Sequence, residues 1–541
     1  MGDDFLGDLK QEHDLSIYLG EQSMENEVGH KAHLLQSRKI PVVRNENNNP
    51  DVGDAQLTSF IPTDYSDVAQ GTLLAQAYHH CLCYCNSIGW LVYKDGVWTA
   101  SDIEAHRYSQ ELTNLQFEEA MTNRYVGLQQ GRVLSETDKY LSYVQSRRTS
   151  ARITATLKEA MPMLSIETDV LDRDPLILNT PCGEVNLSTG EMMPHDPLHY
   201  ITHKTKVSPS DEGAEIWGKF LLQIACSDES VAEFLQQFAG MAAIGKVYEE
   251  RLVIAVGSGG NGKSTFFNAI QDVLGDYAGT IRSELMIASN DSGKKFEYAR
   301  LRGKRFIIAE ELEEGKQLDT AAVKHLCSTG DINAQFKMKD IFTFKPSHST
   351  VLCTNHMPTV KTVDNGTWDR LVVIPFNGRF RNQGTEIKNY AAYLVEHCGG
   401  AILSWIIEGA QKYIQNDYKL MVPEAIQTAT KNYQEENDWA ADFFQDSLVF
   451  EAGESATGSE LYEAYQKYCG CAGINPLPSS VVLPRIAEHP GVTKKRVNKG
   501  TRYFGVGISK PESLNILQNH HRVGRCRDDN RILNLMDEIF G

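Results

Sequence analysis

One run constrains this chain more than any other: VGSGGNGKST at 256–265, placed after the apolar stretch Leu252–Val256 and before the amphipathic segment Thr265–Leu274. Gly257, Gly262, Lys263 and Ser264 meet the spacing G-x-x-x-x-G-K-[ST], and its context of strand before and helix after is the one this spacing needs. Four glycines within 257–262 let successive backbone N–H groups turn inward toward an oxyanion. The N-terminus of the following helix adds partial positive charge. The expected ligands are ATP and Mg2+. Gly257, Ser258, Gly259, Gly260, Asn261, Gly262, Lys263, Ser264 and Thr265 are the candidate nucleotide-binding residues. Lys263 is expected at the β- and γ-phosphates and Ser264 on the metal. The bland alternative, a glycine-rich turn that matches by chance, is disfavoured by the flanking strand and helix.

A phosphate cradle alone does not hydrolyse. Hydrolysis needs a metal holder and a group that polarises water. The run RFIIAEE (305–311) supplies an apolar strand ending in two carboxylates. Placed beside the cradle, Glu310 would support Mg2+ and Glu311 would orient and deprotonate the attacking water. By itself the pair could be a solvated strand end. A third apolar run, STVLCTN (349–355), ends in Asn355, suited to holding the water or a γ-phosphate oxygen, or else to a plain turn before Pro358. A fourth, WDRLVVIPF (368–376), begins with Arg370 at the expected edge of the domain. From there Arg370 would serve a neighbouring copy as an arginine finger. The competing reading is a surface arginine paired with Asp369.

The order of GSGGNGKST, RFIIAEE, STGDINAQFKMK, VLCTN and DRLVVIPF resembles the superfamily 3 helicases, and most closely the bacteriophage and plasmid primase-helicase family, related to the poxvirus primase-helicase. LNTPCGEVNLSTGEMMPHDP is similar to the segment before the ATPase in that family, and GSELYEAYQKYC with RYFGVGI to its C-terminal winged-helix domain. The likeness covers about residues 60 to 510. It implies a hexameric AAA+ ring that moves 3′ to 5′ on single-stranded DNA. It also implies a channel hairpin, matched here by AQFKMKDIFTF (334–344), whose Lys337 and Lys339 would follow DNA phosphates without reading bases. Lys324 and Asp331 match the helix and turn before that hairpin. Two departures stand out. Glu310 replaces the Asp that many such ATPases use, and only Arg370 of the Asp369–Arg370 pair can act as a finger.

The expected fold class is therefore α/β, with an AAA+ P-loop ATPase core, a mixed α+β N-terminal domain and a C-terminal winged-helix domain. Expected divisions are an acidic, loosely ordered arm at 1–60, the mixed domain at 61–210 and a helical oligomerisation or linker segment at 211–249. The ATPase follows at 250–400, a helical linker at 401–450, the winged-helix-like domain at 451–512 and a helical tail at 513–541. Within the second unit, Val68 to Asn86 is expected as a helix, and GWLVYKDGVW (89–98) as a hairpin around Lys-Asp-Gly. About sixty residues precede the region of likeness, so no primase activity is expected in this chain.

The net charge of −18 disfavours a surface coated for DNA. It leaves room for a motor that is acidic outside and cationic in its channel. TKKRVNKGTRY (493–503) concentrates Lys494, Lys495, Arg496, Lys499 and Arg502, which on a wing could touch the DNA backbone or simply be solvated. Cys81, Cys83 and Cys85 lack metal-knuckle spacing and are expected in a buried helix, and Cys469 and Cys471 are read in the same way. Eleven scattered cysteines point to reduced thiols. No run approaches the ~18–20 apolar residues of a membrane span. A cytoplasmic protein of a bacterial host, encoded by phage or prophage, is expected. Its partners would be single-stranded or forked DNA, further copies of itself in a ring, and separate primase or replication proteins. The alternatives are a DNA-stimulated ATPase scaffold or loader without processive unwinding, and a monomeric small-molecule kinase indifferent to DNA.

Overall fold

The computed structural model describes residues 59–131, 134–287, 294–335, 341–360, 365–378, 380, 389–473, 475–497 and 500–509. The first unit packs helices α1 (Asp67–Tyr78), α2 (Asp102–Gln129), α3 (Ser135–Arg147) and α4 (Ser150–Ala160) around a small sheet. Its strands are β1 (Leu82–Cys85), β2 (Gly89–Lys94), β3 (Val97–Ala100) and β4 (Ser165–Ile166), in the order β3-β2-β1-β4. Ser66 and Ser101 start α1 and α2 by accepting the Ala69 and Glu104 amides. The Lys-Asp-Gly turn forms the predicted hairpin, with Asp95 and Gly96 both at positive φ, as a two-residue turn between twisted strands requires.

Two expectations for this unit are corrected. The first helix ends at Tyr78, not Asn86, and the three cysteines follow it on strand β1 or just before that strand. Cys83 and Cys85 alternate with Tyr84 because a buried extended segment of aliphatic, aromatic and sulfur side chains pairs with β2 over four residues. Tertiary pairing outweighed the helical continuation.

Strands β5 (Ile177–Thr180), β6 (Gly183–Asn186) and β7 (Met192–Met193) form an antiparallel sheet. Ile177, Leu178, Val185 and Leu187 sit in the same hydrophobic core as helices α5 (Ala214–Ile224) and α6 (Glu229–Met241). Next comes a five-stranded parallel sheet of β8 (Leu252–Val256), β9 (Ala278–Ile281), β10 (Phe306–Ala309), β13 (Ser349–Thr354) and β14 (Leu371–Pro375), ordered β14-β8-β13-β10-β9. Between its strands run α7 (Lys263–Leu274), α8 (Lys294–Ala299), α9 (Thr320–Cys327), the hairpin β11 (Ile332–Gln335) and β12 (Ile341–Phe344), and α10 (Asn365–Trp368).

The sequences of the strands explain the layers. Period-two alternation sends Val253, Ala255, Phe306, Ile308, Val351, Val372 and Ile374 to one face. Leu252, Ile254, Ile307, Ala309, Leu352, Leu371 and Val373 go to the other. Both faces are covered, which is why the strands read as unbroken apolar runs. The first face meets α5, α6, α7 and α11 (Tyr390–Gln415); each fully buried Phe there, such as Phe266 or Phe267, contributes roughly 1.5–3 kcal/mol. The second face meets α8, α9 and Tyr433 of α12 (Glu424–Glu436). The boundary expected at residue 400 falls inside α11, whose buried face runs from Leu394 to Tyr413.

The last unit has its own core around Phe443, Leu461, Tyr465 and Ile486. It comprises α13 (Trp439–Ser447), β15 (Leu448–Val449), β16 (Ser455–Thr457), α14 (Gly458–Ala472), α15 (Ser479–Ala487), β17 (Thr493–Val497), β18 (Gly500–Phe504) and β19 (Gly507–Ile508). A reciprocal capping box between Thr457 and Glu460 starts α14. Cys469 is buried on that helix, whereas Cys471, expected to be buried, is exposed because it lies on the opposite, solvent-facing side.

Candidate active site

Because all five core strands are parallel, their C-terminal ends lie along one edge of the sheet. Ligands in open α/β sheets bind outside that edge. The residues that follow the strands are Gly257, Arg282, Glu310, Asn355 and Phe376. The loop at 257–265, the acid pair at 310 and 311, and Asn355 are therefore delivered to one edge by topology.

The glycine-rich loop is shaped by contacts that a side chain would break. Gly259, Gly260 and Gly262 have φ of +96°, +69° and +80°, the left-handed region that favours glycine. A Cβ at Gly257 would lie 1.7 Å from the Asn261 amide nitrogen and 2.7 Å from the Phe376 carbonyl oxygen. Asn261 is buried and donates to that Phe376 carbonyl at 2.8 Å, tying the loop to the end of β14. Phe380 N–H donates to the Gly260 carbonyl at 3.1 Å from the other side. Gly262 caps α7, so Lys263, Ser264 and Thr265 form its first turn, with Ser258 and Ser264 exposed.

Lys263 is 5 % exposed, unusual for a lysine. Its ammonium donates to the Thr354 carbonyl at 2.6 Å, the Asn355 Oδ1 at 2.9 Å and the Gly257 carbonyl at 3.4 Å. All three acceptors are neutral oxygens. Burial lowers its pKa, and the nearby Cys353 and Glu311 pull the other way. A sheltered cation with three neutral acceptors at the mouth of a glycine loop is suited to an anionic ligand.

The acid pair arrives by a different route from the one expected. Strand β10 is not the neighbour of β8; β13 lies between them. Glu311 reaches across this gap: its Oε1 accepts the Asn355 N–H at 3.2 Å. Ser283 Oγ donates to the Glu311 carbonyl at 3.2 Å and holds that turn. Glu310 extends the β9 ladder through its N–H to the Ile281 carbonyl at 3.0 Å. Both glutamates are exposed, so their carboxylates can meet a ligand or a cation without a large desolvation cost. Asn355 thus joins Lys263 through its side chain and Glu311 through its backbone. The donor set fits a nucleotide and a hard divalent cation: loop amides and an ammonium for phosphate oxygens, a hydroxyl and carboxylates for the ion.

Arg370 stands elsewhere. It precedes β14, at the N-terminal edge of the sheet, while its own chain's loop adjoins the far end of that five-residue strand, about 17 Å away at ~3.3 Å per residue. Its guanidinium pairs with Glu250, not with Asp369, and donates to the Gly366 carbonyl. The Asp369 carbonyl accepts from Arg251. Glu250 had no motif to announce it, and only the pairing of β8 with β14 brings it to Arg370. Ser283 likewise belongs to no motif, and the pairing of β9 with β10 brings it to Glu311.

Lys337, Lys339 and Lys499 lie outside the described residues. The strands flanking the first two, β11 and β12, pair antiparallel over four residues. Asp331 is exposed just before β11, and Lys324 lies on α9. Lys494, Lys495 and Arg496 are exposed on β17, and Arg502 on β18 donates to Ser455 Oγ at 3.0 Å. Among the described residues no three His, Cys, Asp or Glu side chains are grouped to hold a metal ion, and no helix is long and apolar enough to cross a membrane.

Residues 71–226 match the family described as D5 N terminal like, and residues 255–370 match a family of unknown function, DUF5906. The chain is 25 % identical over 318 residues to a candidate helicase, L207/L206, of Acanthamoeba polyphaga mimivirus. It is 26 % identical over 323 residues to a candidate primase, C962R, of African swine fever virus (isolate Warthog/Namibia/Wart80/1980). Each match covers 55 % of this chain and 33 % of the relative, so this chain spans about a third of the length of these relatives. A candidate helicase, 022R, of Frog virus 3 (isolate Goorha) is 25 % identical, with 44 % of this chain and 26 % of the relative covered. Among solved structures, the apo C-terminal region of NrS-1 (residues 305–718) aligns with 56 % of this chain and 78 % of its own, at 13 % identity and a TM-score of 0.37.

Proposed function

We propose that this chain, which is similar over about half its length to viral helicases and primases, is an ATP-dependent DNA helicase of the superfamily 3 type. In this reading it acts in phage or prophage DNA replication and moves on single-stranded DNA as a hexameric ring. Its core would be an AAA+ P-loop ATPase and its last unit a winged helix. The observation that carries the proposal is the hydrogen-bonded series Lys263–Asn355–Glu311 at the mouth of the glycine loop.

The roles follow from position. The amides of 257–262 and the Lys263 ammonium would bind the β- and γ-phosphates. Ser264 and Glu310 would hold Mg2+, which when bound with the nucleotide supplies charge neutralisation at those phosphates. Glu311 would orient a water for in-line attack on the γ-phosphorus. As the new P–O bond forms and the bond to the β–γ bridging oxygen breaks, the Glu311 carboxylate takes the water's proton. Asn355 fixes the distance between that carboxylate and Lys263. Arg370, too far from its own loop, would serve the site of a neighbouring copy, where its charge stabilises the transition state. The β11–β12 hairpin and the β17 cations would follow the DNA backbone.

Strand displacement on a forked duplex tests this. The full chain should unwind with ATP and Mg2+, and Glu311→Gln should bind ATP yet fail to unwind. Hydrolysis stimulated by DNA with no displacement would replace the helicase with the scaffold or loader reading.

A further inference from the structure

Glu250 immediately precedes the arginine and apolar run of β8, and nothing in the motif spacing distinguishes it from Glu249. The structure separates the two. Glu249 pairs with Arg251 and accepts the Leu420 amide. Glu250 spans two other elements with its two oxygens. One accepts the Thr329 N–H at 3.2 Å; the other pairs with Arg370. Thr329 lies between the end of α9 and the start of β11, in the turn from which the hairpin departs. Arg370 lies at the start of β14, its carbonyl accepting the Leu252 amide at 2.8 Å. One carboxylate therefore links the root of the hairpin to the arginine.

The link is poised, not closed. Glu250 and Arg370 keep 28 % and 24 % of their side chains exposed, so the pair can be opened without leaving a charge stranded in a dry core. The Arg370 guanidinium is also incompletely satisfied: its Nε–H is buried with no hydrogen-bond partner among the described residues. A guanidinium with an unmet buried donor gains by moving to an anion that offers more acceptors, such as a phosphate.

We propose that Glu250 is a positioning residue that couples the β11–β12 hairpin to Arg370. It holds the arginine in its own chain at rest and releases it when DNA draws on the Thr329 turn. This inference rests on the proposed ATPase, in which the hairpin meets DNA and Arg370 completes a neighbour's site. It adds the residue through which DNA would stimulate hydrolysis.

The test is steady-state ATP hydrolysis by the full chain, with and without a single-stranded oligonucleotide, in the parent and three variants. In Glu250→Gln the neutral amide holds Arg370 less well, so the DNA-free rate rises about three- to tenfold and the stimulation by DNA shrinks. In Thr329→Pro the amide is lost while Glu250 still holds Arg370, so the DNA-free rate stays low and stimulation shrinks. Arg370→Ala loses hydrolysis under both conditions. Glu250→Gln with the parent's DNA-free rate and stimulation ratio overturns the coupling and leaves the ATPase reading intact. A lower DNA-free rate with an unchanged ratio marks a merely structural role and also overturns it. If Arg370→Ala hydrolyses normally, the trans-acting arginine itself is wrong, and that result is distinct from either.

Discussion

The Lys263 ammonium and the Asn355 side-chain oxygen are 2.9 Å apart, joined across 92 residues of sequence by the adjacency of β8 and β13. Since the Asn355 N–H also meets Glu311, this asparagine sets the geometry between the cation and the carboxylate. Asn355→Ala keeps the backbone N–H to Glu311 but removes the oxygen that holds Lys263 against it, and should lower kcat for ATP hydrolysis by about 10²–10³-fold, as removal of one preorganised polar group does. Nucleotide affinity should change little. Steady-state kinetics with a fluorescent-nucleotide titration separates the two. A raised KM with unchanged kcat would assign Asn355 to ground-state binding instead.

Gly257 has no room for a methyl group, because Asn261 and the Phe376 carbonyl occupy that space. Gly257→Ala should abolish nucleotide binding while the rest of the sheet persists. Asn261→Ala leaves the buried Phe376 carbonyl without its donor and should cost about 1–3 kcal/mol. Nucleotide titration reports the first, and urea denaturation the second.

His348 precedes β13, is 2 % exposed, and its ring nitrogens have no well-aligned hydrogen-bond partner among the described residues. Burial pushes its pKa down to about 4 from an ordinary 6.5, and the Leu326 backbone offsets this only in part. Between those values the unfolded chain takes up the proton and the folded chain does not, so stability falls as pH drops from about 6.5 toward 4. The full loss is on the order of 3 kcal/mol. Denaturation midpoints across that window should show the slope, and His348→Met should flatten it.

Arg305 is almost wholly buried, yet among the described residues no carboxylate pairs with it. It donates to the Ala243 and Ile177 carbonyls, both at 2.8 Å, and its guanidinium lies over the Tyr277 ring at 4.4 Å. It thus fastens the β5 hairpin and the end of α6 to the start of β10. Arg305→Met should destabilise by about 2–4 kcal/mol, because two buried carbonyls lose their donor. Chemical denaturation measures this. A change under ~0.5 kcal/mol would mean that the carbonyls find other partners.

On β17, Lys494 and Arg496 share one face and are exposed. If that face contacts a DNA backbone, replacing both with Ala should weaken binding to all sequences alike and reduce the salt slope by about two. Fluorescence anisotropy at several salt concentrations checks it. An unchanged slope would leave these residues as a solvated strand.

Much of the core was legible because its strands are nearly unbroken apolar runs. LVIAV, FIIA, STVLCT and LVVIP each announce a strand buried on both faces, and Gly257, Glu310 and Asn355 mark where the first three emerge. The KDG turn was equally readable, since positive φ at two successive residues restricts the side chains that can stand there. The cysteine segment was not. Four residues of LCYC fit a helix or a strand, and only pairing with β2 decides between them.

Local chemistry in the sequence determined the glycine loop, the cation that follows it and the carboxylates at a strand end, because spacing along the chain fixes what one turn can present. Only the tertiary structure decided which of these residues meet. Strand order β14-β8-β13-β10-β9 places Asn355, not the acid pair, directly beside the loop, and lets Glu311 reach it across one strand. The same order sets Arg370 against Glu250 at the opposite edge. Strand order depends on packing between segments distant in sequence, and no local pattern encodes it.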